Sequence, residues 1–134
     1  MDAQTLQTSF SDHFAPWVLA LGLRVEAVHA DSVVLRLPFS ATLSRSGGTL
    51  CGQALMAAAD TSMVMALINH FGAFRPCTTV QMSSSFLKPL SDQDALVEAR
   101  IVRAGKTMAF GEIDIRGAID NKSVCRCSVA YALL

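Results

Sequence analysis

Apolar and polar positions along this chain fall into distinct regimes, and each predicts a different element. Over residues 10–21 the pattern predicts a short N-terminal helix, with Pro16 inside it to kink or delay it and Gly22 to close it. Residues 23–29 and 33–37 alternate on either side of a turn at Ala30-Asp31, the pattern of a hairpin. A loop over residues 40–49 contains Arg45 and the Gly47-Gly48 pair. From Gly52 to about residue 71 the chain is apolar on nearly every face and rich in Ala, Leu and Met. That predicts a long helix buried on all sides. Strand then follows strand over residues 78–87, 95–103, 107–116 and 124–133, and Val97, Ala99 and Ile101 share one face of the second of these. Short connections make the last three an antiparallel meander.

A helix that is apolar all round cannot lie on a flat sheet with one face in water. It needs a sheet that curls about it, a second layer, or both, and the alanines at 57, 58 and 59 allow backbone to approach closely. The element order therefore predicts an α+β architecture, a curved antiparallel sheet wrapped around a long central helix. No repeat, low-complexity tract or linker divides the chain, so residues 1–134 are expected to form a single domain. A domain of this size buries roughly two thirds of its unfolded surface and builds a core without metal or disulfide staples.

One residue breaks the helix's apolar character. Asp60 is the only formally charged side chain between Arg45 and His70. An ionised carboxylate in apolar surroundings is costly unless it is paired, hydrogen-bonded or protonated. Either a structural network satisfies it or chemistry uses it.

Composition narrows the classes. Lys plus Arg and Asp plus Glu number 11 each, so formal net charge is zero and nothing draws the chain to nucleic acid or an anionic membrane. The hydrophobic fraction is 51%, with a mean hydropathy of +0.39. The longest apolar stretch holds Asp60, Gln53, Thr61 and Ser62 and makes a poor membrane span, so the excess points to an oligomer with a large buried interface. The N-terminus lacks a basic region followed by an apolar run, so a secretory signal is not expected. The four cysteines, Cys51, Cys77, Cys125 and Cys127, are expected reduced in a cytoplasmic protein, two of them packing as small apolar residues. Cys125 and Cys127 share one strand face, where a mutual disulfide is awkward. With three histidines far apart in sequence, no metal site is expected.

The stretch Ser46-Gly-Gly-Thr-Leu-Cys51-Gly52-Gln-Ala-Leu-Met-Ala-Ala-Ala-Asp60-Thr61 resembles the signature of hot-dog-fold acyl-CoA thioesterases, above all the phenylacetate-pathway-like (PaaI-like) subfamily. Thr79-Val-Gln-Met-Ser-Ser-Ser-Phe-Leu-Lys-Pro89 is similar to that family's strand ending in a proline. Arg103-Ala-Gly-Lys106 resembles its basic glycine turn, and Ser128-Val-Ala-Tyr-Ala-Leu its last strand. The resemblance covers essentially everything past the N-terminal helix.

It implies cofactor-free hydrolysis of an acyl-CoA or related acyl thioester. Asp60 would attack or activate water, and the Gly52 amide at the helix start would receive the oxyanion. Gly52 and Asp60 are about 12 Å apart along a helix, so both cannot reach one carbonyl carbon from the same copy. Each site would join Gly52 of one subunit to Asp60 of another, as in the family's homodimer, with a dimer of dimers as the further step. Thr79 falls where relatives often keep a Ser or Thr to hold the water or carboxylate; it is otherwise an ordinary β-branched strand residue. Thr61 and Ser62 could bond the helix backbone one turn back. Lys88, Arg103 and Lys106, with Arg75, are candidates for the coenzyme A phosphates, though lysines and arginines at turns are often simply solvated. Phe14, Trp17, Met56 and Met63 are candidates for the acyl pocket, with core packing as the default for each.

Cys51 departs from the family pattern, which often has His there. Helix N-termini favour thiolates, which makes Cys51 a second candidate nucleophile, but no histidine lies nearby in sequence to act as base. A small packing residue, lining the substrate site, is the simpler reading. Three other readings compete with the thioesterase: a non-catalytic acyl-CoA-binding protein, a hot-dog dehydratase, which would need a His paired with an acid near the helix, and a structural partner in a larger assembly.

Overall fold

The computed structural model describes residues 1–134. Its centre is the helix that the sequence predicts. Counting α1 (Ala3–His13) and α2 (Pro16–Leu19) before it, this is α3, Gly52–Phe71. It is long and apolar enough to cross a bilayer by composition, yet most of its surface packs against protein. The strands are β1 (Arg24–Val28), β2 (Ser32–Leu37), β3 (Ser44–Arg45), β4 (Thr49–Leu50), β5 (Cys77–Phe86), β6 (Ala95–Ala104), β7 (Met108–Gly117) and β8 (Ser123–Leu133). Six of them form one antiparallel sheet in the order β1-β2-β6-β7-β8-β5, and β3 and β4 make a separate two-stranded ribbon. This is the hot-dog fold, and the β6-β7-β8 meander stands as expected.

The sheet curls because four of its strand pairs carry register shifts: β1 with β2, β5 with β8, β6 with β7, and β7 with β8. An extra residue on one strand bends it and steepens the local twist. The concave face is apolar: Val97, Ala99, Ile113, Ile115, Cys125 and Cys127 alternate inward onto α3. The Cys125 and Cys127 sulfurs lie 3.8 Å apart as buried free thiols and pack as small apolar residues. Gly111 fits closest of all. A Cβ there would sit 1.9 Å from Met63 Cε and 3.0 Å from the Arg100 carbonyl oxygen, so any larger residue must displace the Met63 side chain and press on the strand. The convex face carries charges in alternating sign, with Arg126 3.4 Å from Asp114 and Arg116 3.1 Å from Glu98 across neighbouring strands.

Three expectations need correction. The N-terminal helix begins at Ala3 and ends at His13, because Asp2 caps it by accepting from the Thr5 amide at 2.8 Å. Pro16 does not kink it. The residue before a proline is driven to extended backbone, so the helix stops and Pro16 opens α2 at a first-turn position. Second, residues 40–49 are not a plain loop. Gly47 and Gly48, with φ of +97° and +75°, turn β3 back into β4 and deliver the chain to the start of α3. Third, α3 is not buried on every side. Gln53, Met56, Ala57, Asp60 and Val64 form one stripe that its own sheet leaves uncovered, because the sheet ends at β5. Neither hydroxyl of the next pair bonds the backbone one turn back, and Ser62 Oγ is buried without a partner.

Candidate active site

Asp60 lies at the middle of the uncovered stripe, half-buried beside the edge strand. Two hydroxyls hold it. Thr79 Oγ1 donates to Asp60 Oδ1 at 2.8 Å. The Tyr131 hydroxyl donates to the same Oδ1 and lies 2.9 Å from the Asp60 backbone carbonyl oxygen. Thr79 and Tyr131 are register partners across β5 and β8, and the β5 register shift falls between Thr79 and Gln81. The unpaired Val80 thus marks the point where the strand re-aims Thr79 at the helix, a common placing for bulges.

The electrostatics follow from this packing. Burial pushes the Tyr131 phenol well above its ordinary value, and the charge of Asp60 and the bond to it add to the effect. It is a neutral donor at any physiological pH. Burial likewise raises the Cys77 thiol, with a further contribution from Asp60, so Cys77 is a neutral neighbour of the carboxylate. The sequence reading includes Tyr131 in its last-strand motif but gives it no role. The available signal is that it is the chain's only tyrosine, in an otherwise apolar strand where a buried hydroxyl must find a partner.

Gly52 is the first residue of α3, and no carbonyl accepts its amide hydrogen. The Phe86 ring lies against it, close enough that a Cβ on Gly52 would sit 3.3 Å from Phe86 Cε1. Beside it opens a cleft of about 350 Å³ lined by Arg45, Leu55, Phe86, Lys88 and Leu90. Cys51 caps the helix with extended backbone, and its side chain makes no hydrogen bond. The sequence-predicted residues therefore divide. Asp60 and Thr79 come together; Gly52, Cys51 and Lys88 gather at the helix start; Arg103 and Lys106 do neither. They sit at the β6-β7 turn, beside the end of β8, where Leu133 donates to the Thr107 carbonyl and Arg75 to that of Lys106. That is the opposite end of β5 from Phe86 and Lys88.

The histidines are elsewhere too. His70 is in the last turn of α3, His13 stacks on Phe74 just beyond it, and Asn69 donates to the His29 carbonyl. None approaches Cys51 or Asp60. Of the acyl-pocket candidates, Met63 is core and Phe14 packs against the core, Trp17 is exposed, and Met56 lies on the uncovered stripe.

The sequence profile of the thioesterase superfamily matches residues 47–123, which include Gly52, Asp60 and Thr79. The chain belongs to the thioesterase superfamily. Membership places it with enzymes of thioester hydrolysis. A provisionally named esterase of Thermoplasma acidophilum is 24% identical over 105 residues, 78% of this chain and 77% of that protein. Another, from Saccharolobus solfataricus, is 26% identical over 98 residues, 73% of this chain and 69% of that protein. Among solved structures, a thioesterase from Haemophilus influenzae superposes with a TM-score of 0.88 at 19% identity, covering 100% of this chain and 91% of that one. The PaaI protein of the phenylacetic acid degradation operon of E. coli gives a TM-score of 0.83 at 15% identity, covering 100% and 96%. At these identities the structural likeness speaks for the hot-dog fold. Tyr131 lies outside the residues the superfamily profile matches.

Proposed function

We propose that this thioesterase-superfamily chain hydrolyses an acyl-CoA or related acyl thioester to free acid and thiol, in a site shared by two subunits. The observation that carries the reading is the Asp60 carboxylate, anchored by Thr79 and Tyr131 on the one uncovered stripe of α3. A second copy laid antiparallel on that stripe brings its own helix start, with the free Gly52 amide, towards Asp60. The exposed edge of β5 extends the same contact, and two such dimers pair into a tetramer. No cofactor enters this scheme, and we assign the protein to the cytoplasm on its sequence.

In this reading Asp60 takes a proton from water as the water oxygen bonds to the thioester carbon, or its own oxygen makes that bond directly. The carbonyl oxygen becomes an oxyanion facing the Gly52 amide, where the helix dipole also favours negative charge. On either route collapse breaks the carbon–sulfur bond and expels the thiolate. On the water route the thiolate recovers the proton from Asp60. On the direct route water cleaves the acyl–Asp60 anhydride, freeing the acid, restoring the carboxylate and supplying the thiolate's proton. Lys88 and Arg45 flank the cleft beside Gly52, which supports a role on the carrier's phosphates. Arg103 and Lys106, at the far end of the sheet, have less support for such a role within one subunit.

The test is a panel of acyl-CoAs with free-thiol detection. Wild type releases thiol, and Asp60→Asn and Asp60→Ala do not. Acyl-CoA binding without hydrolysis by any of the three identifies a non-catalytic acyl-CoA-binding protein instead.

A further inference from the structure

We infer that Tyr131 is a positioning residue for the reaction, fixing Asp60 Oδ1 so that Oδ2 is the oxygen presented to the substrate. The inference rests on the thioesterase reading above and goes beyond it, because the superfamily match stops short of this residue and the last-strand motif that contains it carries no role for it.

Three features of the geometry support it. First, a single hydroxyl touches both the Asp60 carboxylate and the Asp60 backbone carbonyl, so it ties the side chain to its own helix. Second, Thr79, the register partner of Tyr131, donates to the same Oδ1. Two hydroxyls on neighbouring strands thus converge on one carboxylate oxygen, while Oδ2 accepts no hydrogen bond from the chain. Third, Tyr131 is almost wholly buried and Thr79 is exposed. The tyrosine approaches from the core and the threonine from the rim, so the carboxylate is held from two directions. A buried tyrosine merely seeking an acceptor would be satisfied by the helix carbonyl alone.

Held this way, Oδ2 needs no rearrangement to meet a water or a carbonyl carbon. Misplacing a reacting group by about 1 Å costs on the order of a hundredfold in rate, so the bond is expected to appear in kcat rather than KM. The charged and titratable groups facing the phenol are Asp60 from α3 and Cys77 from β5.

Because the chain has one tyrosine, the alkaline absorbance change of tyrosinate near 295 nm reports Tyr131 alone. The experiment titrates wild type and Asp60→Asn while far-UV circular dichroism follows the fold, and measures thioester turnover by wild type, Tyr131→Phe, Thr79→Val and the double variant. Burial keeps the phenol raised in both titrations. Coupling to the carboxylate makes Tyr131 ionise at lower pH in Asp60→Asn than in wild type. Tyr131→Phe, folded, loses about ten- to hundredfold in kcat with KM within about twofold of wild type, and adding it to Thr79→Val costs more than the sum of the two single losses in free energy. Ionisation of Tyr131 at the same pH in wild type and Asp60→Asn while both remain folded overturns the proposal, as does a folded Tyr131→Phe that turns over at the wild-type rate. If wild type hydrolyses no thioester, the hydrolase reading fails, and the titration alone decides whether Tyr131 holds Asp60.

Discussion

Gly52 and Asp60 lie about two turns apart on α3, at the start and in the middle of the stripe that the sheet leaves uncovered. Gly52 carries the free amide and Asp60 the anchored carboxylate. Two antiparallel copies of the helix would bring each amide to the other copy's carboxylate, so a pair of dead variants should rescue one another. Gly52→Pro deletes the amide hydrogen at the first helical position, where proline is accepted, and the extended backbone of Cys51 suits a following proline. Gly52→Pro and Asp60→Asn alone are expected to lose about 10²-fold or more. Co-refolded in equal amounts, they should recover about a quarter of the wild-type rate, one intact site per mixed dimer. No recovery despite mixed dimers on native mass spectrometry would rule out the shared site.

The stripe and the edge strand are also where the proposed assembly is tested most directly. Met56 is 39% exposed on α3 and Val80 58% exposed on β5. Met56→Asp places a charge in the proposed seam, and the chain should sediment as an inactive monomer with native circular dichroism. Activity from a monomer would end the two-subunit reading.

Cys51 offers a cleaner question. Its side chain makes no hydrogen bond and no histidine is near it. Cys51→Ser and Cys51→Ala should keep turnover within about threefold of wild type. A loss of about 10³-fold or more would make the thiol the nucleophile.

Packing of helix on sheet predicts a stability effect remote from the chemistry. Gly111→Ala forces Met63 out of contact and presses on the Arg100 carbonyl, so it should cost about 1–3 kcal/mol in urea unfolding. Shortening the neighbour in Met63→Val should recover part of that loss, since the two changes share one space.

One ion pair sets an acid limit. The Phe39 amide, 2.7 Å from Asp94 Oδ1, holds that carboxyl below its ordinary value of 3.8, and Arg36 at 3.0 Å from Oδ2 adds to it. A depressed folded value contributes stability that is fully present above 3.8 and is lost as pH falls through the lower folded value. Asp94→Asn should therefore melt below wild type at neutral pH, and the two curves should converge under acid. A constant gap down to the acid transition would exclude the linkage.

By itself the sequence determined the long helix, the six sheet strands and their order, but not the split of the N-terminal segment into α1 and α2 or the β3-β4 ribbon. Period-two alternation placed the hairpin and the meander, and the apolar run gave α3 with both ends, because local pattern encodes what must turn inward. It missed the true start of α1, where polar residues around Leu6 mask the apolar face and the Asp2 cap supplies the signal. It also singled out Asp60, a charge in apolar surroundings, whereas Thr79 stood out only through the family resemblance.

Tertiary structure decided what those residues meet. The strand order carries β5 past its neighbours in sequence to the free edge beside β8, and a register shift there turns Thr79 toward Asp60. That crossover brings Tyr131, distant in sequence, to the same carboxylate oxygen, and it sends Arg103 and Lys106 to the end away from Lys88. Alternation specifies which way a side chain points but not which strand lies alongside. Partnership across a sheet is a long-range choice made by the whole core, and so the carboxylate's anchors and its uncovered side appear only once the chain is folded.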